Sequence, residues 1–193
     1  MCLPVWHMAG QQRILTLAFL SPTPDDHWVN RLVARVSRHP FCHVELYFEG
    51  TEQSFSVMWG ETAGFRAKNL SNPNYTLVSL CVPAREFNNS LEFCRNIANQ
   101  KLVFDERGMW SSWFSWMGCC AQPTSQQRGA TFCSKVITEA LQFGGVREVE
   151  NACPASTTPS GLYERVRGSR RIACNSVPYK RQALMDLPLE GLL

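Results

Sequence analysis

Apolar positions along the chain recur with two different spacings, and the change from one to the other marks the elements. Residues 13–20 (RILTLAFL) are a nearly continuous apolar run, which predicts a buried strand stopped by Pro22 and Pro24. From Asp25 and Asp26 to about Arg38, Trp28, Leu32 and Val36 recur every fourth residue, with Val29 and Val33 beside them. That spacing predicts a helix. Its acidic start and its Arg35 and Arg38 end suit the helix dipole, and Pro40 ends it. Residues 41–48 (FCHVELYF) read as a second strand, turned at Glu49-Gly50-Thr51-Glu52 into a returning strand at 53–58. A weaker strand is expected over Gly64–Lys68, and a β-branched run at 75–82 closes at Pro83.

The second half reads mainly as helices. Phe87, Leu91, Cys94 and Ala98 predict one from Glu86 to Asn99. Val136, Ile137, Ala140 and Leu141 predict another over 132–143, stopped by Gly144-Gly145, and a short last helix begins near Thr158-Pro159. Between them, 108–120 has no period and is followed by a polar loop. The order β-α-β-β-(β)-β-α-loop-α-α predicts an α+β fold, an antiparallel sheet with packed helices, over residues 13–174. Residues 1–12 read as an extension and 175–193, which lack periodicity, as a mobile tail.

Composition narrows the function classes. At 193 residues the chain is the size of one domain, and 45% hydrophobic residues suffice for a core. With 18% charged residues it is neither a disordered chain nor a coiled coil. No apolar run reaches the ~20 residues of a membrane-spanning helix. A net charge of +3 is too small to imply a nucleic-acid partner, and none is expected. Nine cysteines cannot all pair, no CxxC spacing occurs, and the N-terminal residues lack the layout of a signal peptide. Free thiols in the cytoplasm or another reducing compartment are the expectation.

The search for chemistry starts with four histidines. His7, His27 and His39 lie in the ragged N-terminus, a polar helix start and a helix end, whereas His43 lies inside a strand. Alternation puts His43, Glu45 and Tyr47 on one strand face and Val44, Leu46 and Phe48 on the other. A polar face turned to water would be the ordinary explanation. Among the cysteines, Cys133 stands in the first turn of a helix, with Thr131 as the expected N-cap. A thiol there feels the positive end of the helix dipole and unpaired N–H groups, and both favour the thiolate. A helix-start cysteine with a strand histidine far away in sequence is the papain-like way to build an ion-paired nucleophile.

Here the histidine comes first. HVELYFEG, a returning SFSV strand, TFCSKVITEAL, and the later Thr158-Pro159-Ser160-Gly161-Leu162-Tyr163 together resemble the circularly permuted branch of the NlpC-type papain-like superfamily over roughly residues 13–165. The branch holds hydrolases, acyltransferase-like enzymes, a deubiquitinating or deSUMOylating group and viral proteins. The resemblance implies a thiol hydrolase (peptidase, amidase or isopeptidase) with Cys133 as nucleophile, His43 as proton carrier and no metal or organic cofactor. It further implies a polar residue orienting the imidazole. Ser54 on the returning strand and Glu45 on the histidine strand are both candidates, and the sequence does not choose between them. The His43 face is expected to meet the Cys133 helix.

The alternatives are an acyltransferase or lipid esterase using the same pair, or a catalytically silent binding module of the same fold. Under the lipid reading Trp110, Trp113 and Trp116 would contact an acyl chain or membrane; under the ordinary one they cap the core. Cys119 and Cys120 follow these tryptophans, and with Cys42 and His43 they match no common zinc spacing. Arg165, Arg167, Arg170 and Arg171 form a basic run that reads as a solvated helix end.

Overall fold

β1 (Gln12–Leu20) organises the rest of the fold, because its neighbours on both sides pair with it over most of its length. The computed structural model describes residues 11–110 and 130–172, the side chain of Val36 excepted. After β1 come α1 (Trp28–Val36), β2 (His43–Phe48), β3 (Gln53–Ser56), β4 (Gly64–Ala67), β5 (Tyr75–Pro83) and α2 (Ala84–Gln100). Two short strands, β6 (Val103–Phe104) and β7 (Ala130–Thr131), precede α3 (Cys133–Gly144) and α4 (Pro159–Val166). The main sheet has the order β4-β3-β2-β1-β5, and every pairing in it is antiparallel. The expected α+β class is therefore the observed one.

The register explains the core. Leu15 faces Phe48 and Leu80, Leu17 faces Leu46 and Val78, and Phe19 faces Val44, so one sheet face is continuously apolar. These residues form one buried cluster with Phe87 and Cys94 of α2 and Val136, Ile137, Ala140 and Leu141 of α3. Burying a large aliphatic side chain contributes about 1.5–3 kcal/mol, so this face supplies most of the drive to fold. The two helices approach closely at Gly144, where a Cβ would lie 2.1 Å from Ser90 Oγ and 2.8 Å from the Glu86 carbonyl. Gly145 then ends α3 in the left-handed conformation at φ +85°, the role expected of this glycine pair.

Three expectations need correction. The first helix starts at Trp28 rather than at Asp25, because Asp26 turns back to accept bonds from Thr23 N (2.5 Å) and Thr23 Oγ1 (3.0 Å). His27 then caps it by accepting from Val29 N at 3.4 Å. Among its described side chains Val29, Val33 and Ala34 are buried while Trp28 is 47% exposed, so Trp28 does not belong to the buried stripe as expected. The polar face of β2 is covered at its His43 end: His43 is 8% and Glu45 1% exposed, with Ser54, Thr16 and Ser79 also buried on that face and Tyr47 half-buried. The basic run is not simply solvated, since Arg171 binds Glu86 at 2.7 Å and Glu148 at 2.5 Å, and Arg167 binds Glu164 at 2.8 Å.

Candidate active site

β2 and β3 part company at one end of the sheet, and that parting makes the site. Their register holds only at Leu46↔Phe55 and Tyr47↔Ser54. Glu49 N bonds the Ile14 carbonyl at 3.3 Å on the β1 side, so odd-numbered N–H groups of β2 face β1 and even-numbered ones face β3. Continued pairing would match Val44 with Val57, but β3 ends at Ser56. The Val44 N–H and C=O therefore need other partners, since buried backbone groups rarely go unbonded. Ser56 Oγ donates to the Val44 carbonyl at 2.9 Å, and the Val44 N–H is directed at the Cys133 thiol.

Cys133 arrives at this gap from the other layer. β7 pairs in parallel with β6, with Phe104 beside Thr131, and the chain turns directly into α3. The N-cap is Phe132, which makes no side-chain capping bond; the expected cap, Thr131, lies outside the helix, and its buried Oγ1 has no partner among the described residues. The first helical bond runs from Val136 N to the Phe132 carbonyl at 3.0 Å, so the N–H groups of Cys133, Ser134 and Lys135 carry no intrahelical bond. Leaving a helix start without a polar cap costs about 1 kcal/mol. It also leaves donors aimed at whatever lies in front of the helix. Ser134 Oγ donating to the Thr157 carbonyl at 2.6 Å and Thr138 Oγ1 donating to the Ser134 carbonyl at 2.7 Å pin this turn in place.

The imidazole of His43 meets the thiol across the gap. Burial alone would raise the thiol and lower the imidazole, yet both move the opposite way. The charge and hydrogen bond of His43, with the N–H groups of Val44 and Ser134, lower the Cys133 pKa. The same charge and bond from Cys133, with those of Glu45, raise the His43 pKa. Both shifts act in the direction of a thiolate–imidazolium pair. Ser56 Oγ lies 3.1 Å from His43 Nε2, and its one hydrogen goes to Val44, so it accepts from Nε2–H. Nδ1 is the nitrogen left for the thiol. One expectation changes here. α3 packs on the Val44–Leu46–Phe48 face, and the thiol reaches His43 through the gap rather than across a shared face.

Glu45 anchors a polar network spanning the sheet. Its Oε1 is 3.6 Å from His43 Nε2 and 3.4 Å from Lys68 Nζ, and it accepts from Tyr75 OH at 2.9 Å. Ser54 Oγ donates to Oε2. Burial opposes the charge, but His43, Ser54 and Lys68 together hold this carboxyl down to about 2. Burial and the Glu45 charge push the Tyr75 phenol up, so it stays a donor. Of the two candidates for orienting His43, Glu45 approaches it and Ser54 holds Glu45 instead. Lys68 and Tyr75 were missed, and Ser56 was read only as Ser54's neighbour on one face of the returning strand. Ser56 shares Ser54's face and was legible by alternation; Lys68 and Tyr75 come from β4's end and β5, brought in by a strand order the sequence does not show.

Trp59, 47% exposed, packs on Phe104 with ring centroids 5.4 Å apart. Trp59 follows the Ser56 strand, and Phe104 pairs beside Thr131. Trp110 is half-buried at the end of a helical turn over 106–110, whereas Trp113, Trp116, Cys119 and Cys120 fall outside the described residues. Cys42, Cys81, Cys94, Cys133 and Cys153 are free thiols. Among the described residues no cluster of three or more His, Cys, Asp or Glu could hold a metal, and no helix is long and apolar enough to cross a membrane. The chain has no match among protein-family models, curated proteins or solved structures.

Proposed function

We propose that this protein is a cysteine hydrolase of the circularly permuted papain-like type, cleaving an amide, peptide or isopeptide bond through an acyl-enzyme. The observation that carries the reading is the pairing of Cys133 with His43 at an uncapped helix start. The Cys133 thiolate adds to the substrate carbonyl carbon, and its electron pair goes to the oxygen. N–H groups at the start of α3 stabilise that oxyanion. The C–N bond breaks as the His43 imidazolium gives its proton to the leaving amine. Water then enters, gives a proton to the neutral imidazole and attacks the thioester, releasing the carboxylic acid and restoring the ion pair.

Histidine strand before cysteine helix, on an antiparallel sheet, supports the permuted arrangement. The test is alkylation with iodoacetamide from pH 4 to 9, followed by a panel of peptide, isopeptide and acyl-ester substrates. Cys133 should react well below the pH at which ordinary cysteines do, and turnover should vanish in Cys133→Ala and His43→Ala. Ester turnover without amide turnover would replace the peptidase reading by the acyltransferase or lipid esterase. Ordinary reactivity at Cys133 with no turnover would leave a silent binding module.

A further inference from the structure

Lys68 has no place in the chemistry just described, yet its ammonium is bound into the site. Its Nζ lies 3.4 Å from Glu45 Oε1, the same oxygen that stands 3.6 Å from His43 Nε2. The alignment Ser54↔Arg66 puts Arg66 on the site's face, and Lys68, two residues on, returns to that face. Its second contact is the Met58 sulfur at 3.4 Å, which adds no charge. The lysine side chain is 25% exposed, while Glu45 is 1% exposed, so a partly solvated cation sits against a buried carboxylate. We propose that Lys68 is a charge-balancing residue of the active site, which shares Glu45 with His43 and so limits how firmly the carboxylate holds the imidazole's proton.

The inference rests on the ion-pair reading of Cys133 and His43. Its physics is simple. One carboxylate oxygen serves two cations. A lysine beside it screens its charge and also repels a proton on the histidine, and both effects act in the same direction. A general acid held too tightly transfers its proton to the leaving group poorly, so an enzyme of this kind gains from a counterweight. The other groups facing Glu45 and His43 do not take that part. Ser54, Ser56 and Tyr75 are neutral hydroxyls, Arg66 on the same face pairs with Glu61 at 2.8 Å, Cys133 is the anion of the pair, and Cys42, beside Tyr75 and Asp26, stays a neutral thiol because burial, Cys133 and Asp26 push it up to about 12. Among the described residues, Lys68 is the cation besides His43 that contacts Glu45.

The signs make this testable on the full chain. NMR titration of the His43 imidazole would be run on the parent protein and on Lys68→Met, Lys68→Gln, Lys68→Arg and Glu45→Gln. Both neutral lysine variants should move the His43 midpoint up, by about one pH unit. Lys68→Arg should restore the parent value, and Glu45→Gln should move it down. The base-side limb of the hydrolysis profile should follow the same order. An unmoved or lowered midpoint in both neutral variants, with folded spectra, overturns the role of Lys68. A parent His43 midpoint at or below that of an ordinary histidine overturns the ion pair itself, a different failure. If one neutral variant does not fold, the other decides.

Discussion

The two edges of β2 hold two thiols that their surroundings push in opposite directions. On the β1 edge pairing runs from Leu15↔Phe48 to Leu20↔His43, and just beyond it Cys42 Sγ donates to the Leu20 carbonyl at 3.5 Å. On the β3 edge pairing stops early, and Cys133 Sγ receives the orphaned Val44 N–H. The two thiols flank the same histidine. Burial acts on both in the same sense, raising the pKa, and it prevails at Cys42, which is pushed up to about 12. At Cys133 an imidazolium and two backbone donors outweigh it. A hydrogen bond to a carbonyl favours the thiol, and bonds from N–H groups favour the thiolate. The difference between them follows from where the sheet is left incomplete.

The comparison breaks first, and most visibly, at the cysteines themselves. Cys133→Ala should lower kcat/KM by about a thousandfold or more, while Cys42→Ala should stay within about threefold of the parent. Steady-state kinetics on both variants decides it; similar losses would mean that the two edges are not functionally distinct. Next in size is His43→Ala. Cys133 alkylation near pH 6.5 should slow by about tenfold to a hundredfold, as the thiolate gives way to thiol, and Cys42 should stay unreactive throughout. Peptide-resolved mass spectrometry after brief labelling separates the two sites.

Ser56→Ala comes third. It removes both the acceptor of the Nε2 proton and the donor to Val44, so turnover should fall by about tenfold to a hundredfold with little change in KM. Glu45→Gln should cost less in rate and show mainly in pH. The carboxylate raises the His43 pKa, so losing it moves the base-side limb down by about one unit. It should also change the acid stability. A carboxyl held down to about 2 stabilises the native state above the ordinary carboxyl pKa, and that contribution is lost as pH falls towards 2. Urea midpoints of the parent should therefore drop more between pH 5 and pH 3 than those of Glu45→Gln. Ser54→Ala, which touches the carboxylate and not the imidazole, should have the smallest effect, a few-fold at most. A larger loss for Ser54→Ala than for Glu45→Gln would reverse the roles assigned to them.

Much of this arrangement was legible before any coordinates. Hydrophobic periodicity located all the strands of the main sheet and its principal helices, because period two and period 3.6 are local properties of the chain. Cys133 and His43 stood out for the same kind of reason: one residue type at a helix start, the other interrupting an apolar strand. The errors were local competitions that spacing cannot resolve. Asp26 bonded backward to Thr23 instead of opening a helix, and Phe132 rather than Thr131 became the residue before α3. Trp28 fitted the helical stripe by type, but the helix turned Val29 and Val33 inward.

What the sequence determined by itself is therefore the α+β class, the strand faces and the two residues of the proposed dyad. What only the tertiary structure decided is how they meet. The early end of β3, the freed Val44 amide, and the convergence of Ser54, Ser56, Lys68 and Tyr75 on one face depend on strand order and register. Those are set by long-range pairing, in which residues such as Glu45 and Tyr75 come within 2.9 Å although far apart in the chain. Alternation can say which side of a strand a carboxylate lies on; only the assembled sheet says which cations and donors it will find there.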